Sequence, residues 1–344
     1  MATPRPVMVT GGLGFIGGYV TRALVDAGLN VAVLARSGTP TPEMAYALRD
    51  HTGRFAVEVG SVEDLTRLVD IFSRLRPKVV VHSASNVEVA SLYRDPYLAF
   101  QSNVGGTVNV LEAARRTGVE RVVDFSSIGV LPAIQYEPID AAHPIVLPRE
   151  GPGSGAYGAA KAAGELFAFA YQRASGLDVR IIRPSAVYGF GMRWHSANYM
   201  KQFVEPAVRG EPVRVPSGGR LPRDYTHVLD VASLTVRVVD CAEDADRVFY
   251  AATGQPLVTA AQAAKLVAEL VPGSSIEVAD LMTPEDEVEA SFRGVISIEN
   301  ARAQLGWTPR YRSLREGVSE YIQTYRNFLE AGRPASETAH LTNG

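Results

Sequence analysis

Short runs of Val and Ile alternate with amphipathic stretches along the first half of the chain. Val7-Met8-Val9 predicts a buried strand, and Ile16, Val20, Leu24 and Ala27 recur at helical spacing over residues 15–27. The alternation continues as strand 30–34, strand 55–59, helix 62–75, strand 78–81, helix 97–117, strand 121–125, helix 156–174 and strand 178–182. Strands that are apolar on both faces and separated by amphipathic helices predict a parallel sheet covered on each side, with right-handed crossovers. The fold class is therefore α/β, a doubly wound parallel sheet. Its ligand crevice is expected at the carboxyl ends of the strands, where the glycine run after Val9, residues 82–85 and Ser126-Ser127 all fall.

Past residue 182 the pattern loosens into shorter segments. The organisation read from this is a dinucleotide-binding domain over 1–185, with a strand and helix near 225–241 returning to it. A smaller α/β region for substrate follows over 186–330. Residues 131–155 are rich in Pro and Gly and form a long connection of the kind that covers sites. From Ala331 onward the chain is small and polar, buries too little to offset its ordering entropy, and is expected to be a disordered tail.

Composition narrows the function. The 344 residues carry a formal net charge of -3, and no block of Lys and Arg is present that would neutralise a nucleic-acid backbone, so nucleic acid is not an expected partner. Cys241 is the single cysteine, which excludes an intrachain disulfide and a cysteine-built zinc site and fits a reducing cytoplasm. The six histidines lack paired metal-binding spacing, so no metal is expected. No stretch reaches the about 20 apolar residues of a membrane span. With the first strand starting by about Pro6, no cleavable signal peptide is expected.

Gly11, Gly14 and Gly17 lie where a strand turns into a helix. Absent side chains there let the backbone approach a pyrophosphate at the positive helix end. After the second strand stands Ala35-Arg36-Ser37, with no carboxylate for the ribose hydroxyls of NAD. Arg36 can clamp a 2′-phosphate by charge-assisted bonds, which favours NADP over NAD. Tyr157 and Lys161 are spaced i, i+4 on one helical face, and an ammonium beside a phenol favours the phenolate. Ser127 can hold the substrate oxygen, so these three residues are the expected catalytic set for hydride transfer at a secondary alcohol or ketone, with Tyr157 as base.

These features clearly resemble the extended short-chain dehydrogenase/reductase family, in particular its NAD(P)-dependent epimerase/dehydratase branch, which includes the nucleotide-sugar epimerases. The likeness runs from about Pro6 to Tyr325. It rests on Thr10-Gly11-Gly12-Leu13-Gly14-Phe15-Ile16-Gly17, Val81-His82-Ser83-Ala84, Asn103-Val104-Gly105-Gly106-Thr107, Phe125-Ser126-Ser127, Tyr157-Gly158-Ala159-Ala160-Lys161, Arg183-Pro184, Arg223-Asp224-Tyr225-Thr226-His227 and Leu305-Gly306-Trp307-Thr308-Pro309. The resemblance implies a Rossmann domain with a smaller carboxyl-terminal substrate domain. It implies cofactor contacts from Gly11, Gly14, Phe15, Ile16, Gly17, Arg36, Ser61, Val62, Ser83, Ala84, Ser85, Asn103, Tyr157, Lys161 and Pro184. It also implies that Ser127 and Arg223 meet the substrate, with Arg223 on the diphosphate of a nucleotide sugar or else paired with Asp224 or another carboxylate. Related enzymes often dimerise through two helices, here those near 97–117 and 156–174.

The departures are informative. Ser126-Ser127-Ile128-Gly129 stands where related dehydratases carry the carboxylates of elimination. Leu131-Pro132 and Ala186 replace a tyrosine and an asparagine of the family, and Val59-Gly60-Ser61-Val62 lacks the acidic residue near the adenine. Three readings follow. An epimerase returns the hydride to the other face of a sugar carbon with no net cofactor change. An NADP-dependent dehydrogenase or reductase of a smaller hydroxy or keto compound changes the cofactor stoichiometrically. A non-catalytic dinucleotide-binding sensor is disfavoured by the intact Ser127, Tyr157 and Lys161.

Overall fold

Val-rich runs flanked by polar residues settle into strands because all but one edge strand are covered on both faces. In the computed structural model, which describes residues 5–131, 133–145, 155–193 and 199–332, these are β1 (Val7–Thr10), β2 (Val31–Ala35), β3 (Ala56–Val59), β4 (Val79–His82), β5 (Arg121–Phe125) and β6 (Asp178–Pro184). Shorter strands follow: β7 (Ala186–Tyr188), β8 (Val213–Val215), β9 (Pro222–Arg223), β10 (Tyr225–His227) and β11 (Val248–Ala251). Seven strands form one parallel sheet in the order β11-β6-β5-β4-β1-β2-β3. The order reverses between β1 and β4, which opens a crevice at their carboxyl ends.

Successive side chains point to opposite faces, so the sheet feeds two cores. Val9, Val33, Val81, Val123 and Phe125 enter one; Met8, Leu34, Val80, Val122, Val179 and Ile181 enter the other. Burying each such side chain contributes about 1.5–3 kcal/mol. Only β3, at the edge, is largely exposed.

The helices that cover the sheet or pack on those that do are α1 (Phe15–Asp26), α2 (Pro42–Leu48), α3 (Leu65–Leu75), α4 (Val89–Arg94), α5 (Pro96–Ala99), α6 (Gly106–Thr117), α7 (Ala156–Ser175) and α9 (Val228–Val239), while α8 (Met200–Arg209) packs beside β8 away from the sheet. Three expectations are corrected here. The helix expected over 97–117 starts one residue earlier, at Pro96, where Asp95 accepts from the Leu98 amide, and it carries a π-helical turn, Phe100–Gly105, between α5 and α6. The helix over 62–75 starts only at Leu65, where Asp64 accepts from the Arg67 amide. The later strand that rejoins the sheet is β11, with α9 packed on α1, whereas β10 pairs with β7 outside the sheet.

The last helix, Leu314–Ala331, is capped by Ser313 and reaches Ala331, so the expected tail begins no earlier than Gly332. Residues 333–344 lie outside the described residues, as do Pro132 and 146–154 of the long connection. No helix among the described residues is long and apolar enough to cross a membrane. No group of three or more His, Cys, Asp or Glu among them is placed to hold a metal ion.

Candidate functional site

β1 hands the chain to α1 through a turn that has no room for side chains. Gly11 adopts φ +72°, and a Cβ there would lie 2.9 Å from the Ala84 Cα. On Gly17 a Cβ would collide with the Gly11 carbonyl and come within 2.5 Å of Ser83 Oγ. Helix α1 starts at Phe15 with Gly14 as N-cap, no side-chain cap and no acidic residue in its first turn. Its first N–H groups are therefore open to an anion. Phe15 and Ile16 are half-buried. The cradle fits a dinucleotide pyrophosphate, because its shape depends on hydrogens where any other residue would place carbon.

The loop after β4 is tied to that turn by a directed chain of hydrogen bonds. The Ala84 amide donates to Thr10 Oγ1 (3.3 Å), which lies 2.7 Å from His82 Nδ1. On the other side His82 Nε2 lies 3.1 Å from Thr107 Oγ1, whose own proton goes to the Asn103 carbonyl (2.8 Å). This pattern is complete with one proton on the ring, at Nε2. Burial, assisted by the Lys161 ammonium, pushes His82 down to about 3.

Asn103 clamps the same loop from the π-helical turn, accepting from the Asn86 amide (2.7 Å) and donating to its carbonyl (2.9 Å). Ser83 Oγ donates to the Thr10 carbonyl, and Ser85 Oγ is buried with no partner among the described residues. Ser61 accepts from the Glu63 amide, and Val62 fills the space beside Gly106. Arg36 is exposed just past the end of β2, and Pro184 is buried at the end of β6.

At the carboxyl end of β5 the structure brings Ser127, Tyr157 and Lys161 together. Tyr157 lies in the first turn of α7, half-buried, and Lys161 is buried one turn later. Lys161 Nζ donates to the Phe125 carbonyl at 2.6 Å and lies 6.0 Å from the centre of the Tyr157 ring. Ser127 Oγ accepts from the Gly129 amide (3.0 Å). A Cβ built on Gly129 would lie 3.3 Å from that oxygen and 3.8 Å from two ring carbons of Tyr157, so the serine and the phenol flank one small space. The pitch of α7 is fixed from behind, where buried Glu165 receives both arms of Arg183 at 2.9 and 2.7 Å. Arg183 also donates to the Tyr250 hydroxyl (2.9 Å).

Arg223 is buried on β9 and donates from Nη1 to Glu289 Oε1 at 2.8 Å. Asp224 is taken up elsewhere, accepting from Ser185, Thr226 and Thr253. The structure adds a residue that sequence reasoning missed: Arg293 donates to the same Glu289 oxygen at 2.5 Å. Burial pushes the Glu289 carboxyl up, but the two guanidiniums outweigh it and hold the group below its ordinary value. The Nε atoms of both arginines are buried without a partner among the described residues. A small cavity lined by Ile128, Leu131, Leu257, Phe292 and Arg293 joins this cluster to the segment after Ser127. No periodic signal in the sequence marks Arg293, which follows a short acidic helix in loosely patterned chain.

Comparison with known proteins identifies the family and the fold. The model of the NAD dependent epimerase/dehydratase family matches residues 7–251. The chain is 28% identical over 335 residues to UDP-glucose 4-epimerase of Mycolicibacterium smegmatis, covering 93% of this chain and 98% of that protein. The UDP-glucose 4-epimerase of Thermotoga maritima, solved with UDP-glucose, superposes with a TM-score of 0.81 at 26% identity, covering 94% and 99% of the two chains. The Thermus thermophilus UDP-glucose 4-epimerase, solved with NAD, gives 0.79 at 28%, covering 93% and 99%.

Proposed function

The chain belongs to the NAD dependent epimerase/dehydratase family, and from that premise we propose that it epimerises a secondary alcohol carbon of a nucleotide sugar, with Tyr157 as the base. A nicotinamide dinucleotide, when bound, supplies the acceptor and donor of the hydride. The protein's own part is proton handling and positioning. Tyr157 takes the hydroxyl proton as the carbinol carbon is oxidised and returns it when the carbon is reduced from its other face, so no proton or hydride is consumed overall. Ser127 holds the substrate oxygen, and Lys161 places a positive charge beside the phenol. Elimination is not part of this reading, because Ile128 and Gly129 stand where acid and base would be needed.

The observation that carries the nucleotide-sugar reading is the shared carboxylate of Arg223 and Arg293. Two buried guanidiniums against one Glu289 leave one positive charge in excess, with unpartnered Nε donors, which suits a diphosphate. The relatives named UDP-glucose 4-epimerase support the same substrate class. Residues 186–330, which supply both arginines, mainly shape the substrate side, and residues 1–185 the dinucleotide side.

Arg36 inclines the cofactor site toward NADP: it follows β2 directly, is exposed, and has no ion-pair partner among the described residues. It also favours the second reading, an NADP-dependent reductase of a smaller compound. Tyr93, Tyr97, Phe100, Leu166 and Phe167 are exposed on α4, α5, the π-helical turn and α7, an apolar patch that a second copy of the chain would cover in a cytoplasmic homodimer.

The deciding experiment is incubation with UDP-glucose and other nucleotide sugars. Interconversion of epimers without net change in nicotinamide absorbance is the expected result. Stoichiometric consumption or production of the reduced cofactor would move the assignment to the reductase.

A further inference from the structure

Behind Lys161 the fold buries a carboxyl that the proton chemistry above leaves unused. Asp124 lies on β5, 3% exposed, on the sheet face whose core contains Val122, Ile181 and Ala168 of α7. Its register partners are His82 on β4 and Ile181 on β6. The charged or titratable side chains gathered around Asp124 on this face are His82 from β4, Lys161 and Glu165 from α7, Arg183 from β6 and, beyond Arg183, the neutral Tyr250 phenol of β11.

Three of these already have their charge accounted for. His82 is neutral, and both its ring nitrogens are occupied by Thr10 and Thr107. Glu165 and Arg183 neutralise one another through two hydrogen bonds. That leaves one cation and one carboxyl. Lys161 spends a single donor on the Phe125 carbonyl, and Asp124 Oδ1 is buried with no hydrogen-bond partner among the described residues. A buried ammonium without a counter-charge is costly, and a buried carboxylate equally so.

We propose that Asp124 is a positioning residue acting through Lys161: its carboxylate is the counter-ion of the buried ammonium, and its protonation sets how much positive charge Tyr157 faces. Burial raises this carboxyl to about 6, against the pull of Lys161 and with a further push from Glu165. Above that value the group of four charges is neutral. Below it, one positive charge is left uncompensated beside Tyr157, and the phenolate is favoured more strongly.

The inference rests on Tyr157 serving as the base, so its test separates the two. Asp124→Asn makes the excess charge permanent. The midpoint of the acidic limb of the pH–rate profile should move down by about one pH unit, the scale of one unscreened charge a few ångströms deeper in the protein. The ultraviolet phenolate signal that Tyr157→Phe abolishes should move with it. Coincident midpoints in a folded Asp124→Asn protein would overturn the proposal.

A second measurement needs neither turnover nor a folded Asn variant. Carbon-13 titration of the Asp124 carboxyl in wild type and Lys161→Met should show its midpoint rising by about one unit when the ammonium is removed. An unchanged midpoint overturns the pairing. Full turnover of Tyr157→Phe would instead defeat the assignment of the base, while the carbon-13 titration would still decide whether Asp124 and Lys161 are coupled.

Discussion

Lys161 Nζ is bonded to the Phe125 carbonyl at 2.6 Å, so the ammonium is anchored to the end of β5 while the Tyr157 ring stays 6.0 Å away. The lysine therefore cannot take over as base by swinging forward without breaking a buried bond. Tyr157→Phe keeps the ring and removes the proton carrier. Turnover should drop by about 10²–10⁴, with dinucleotide affinity retained in a fluorescence titration. Retained turnover would place the base elsewhere.

Gly17 packs its hydrogen against the Gly11 carbonyl, which is itself the acceptor of the Gly14 amide at 2.8 Å. In Gly17→Ala the turn has to open, since the obstacle is backbone. Overpacking of this kind costs about 1–3 kcal/mol, read as a lower melting temperature. Dinucleotide binding should weaken at the same time, because the displaced atoms line the cradle. A variant with unaltered melting and affinity would show that the turn yields freely.

Glu165 and Arg183 are both almost fully buried, at 0% and 3% side-chain exposure. Glu165→Gln leaves a buried guanidinium without its charge partner. The cost of breaking such a pair from one side is about 3–5 kcal/mol, measurable by urea unfolding. Removing the exposed Arg67–Asp70 pair should change stability by less than about 1 kcal/mol. If the two variants were equally mild, burial would not be what makes the α7 to β6 link matter.

Arg223→Ala should raise KM for a nucleotide sugar by roughly 10- to 100-fold, the equivalent of about 1.5–3 kcal/mol for hydrogen bonds to a charged group. Initial-rate kinetics with and without inorganic pyrophosphate as competitor measure it. An unchanged KM would assign Arg223 to Glu289 alone.

Much of this arrangement was legible in the sequence because it depends on short-range rules. Val79 to Val81 and Arg121 to Phe125 are strands on apolar content alone, and the glycine spacing Gly11, Gly14, Gly17 has one structural use between a strand and a helix. Tyr157 and Lys161 are one turn apart in any helix. The unread parts depend on contacts between distant segments. Helix Pro42–Leu48 is only seven residues long and earns its place by setting Met44 against Gly18. The π-helical turn adds a residue that lets Asn103 reach Asn86, which helical periodicity does not reveal. Arg293 matters only because folding brings it to the carboxylate that Arg223 also uses.

His82 and Asp124, register partners on neighbouring strands, tilt acid stability in opposite directions. Burial, and to a smaller degree Lys161, pushes His82 from 6.5 to about 3. Between those values the unfolded chain binds a proton that the folded chain refuses, so this residue makes stability fall as pH drops through that window. Burial pushes Asp124 from 3.8 to about 6. Between those values the folded chain keeps a proton that the unfolded chain has released, so this residue makes stability fall as pH rises. From about pH 4 to about pH 6 the two slopes oppose each other, each reaching at most about 1.4 kcal/mol per pH unit. Asp124→Asn deletes one of them. Its unfolding free energy, measured by urea titration across that range, should fall with acidification more steeply than that of wild type by up to about 1.4 kcal/mol per unit. Parallel curves for the two proteins would mean that Asp124 does not hold its proton in the folded state.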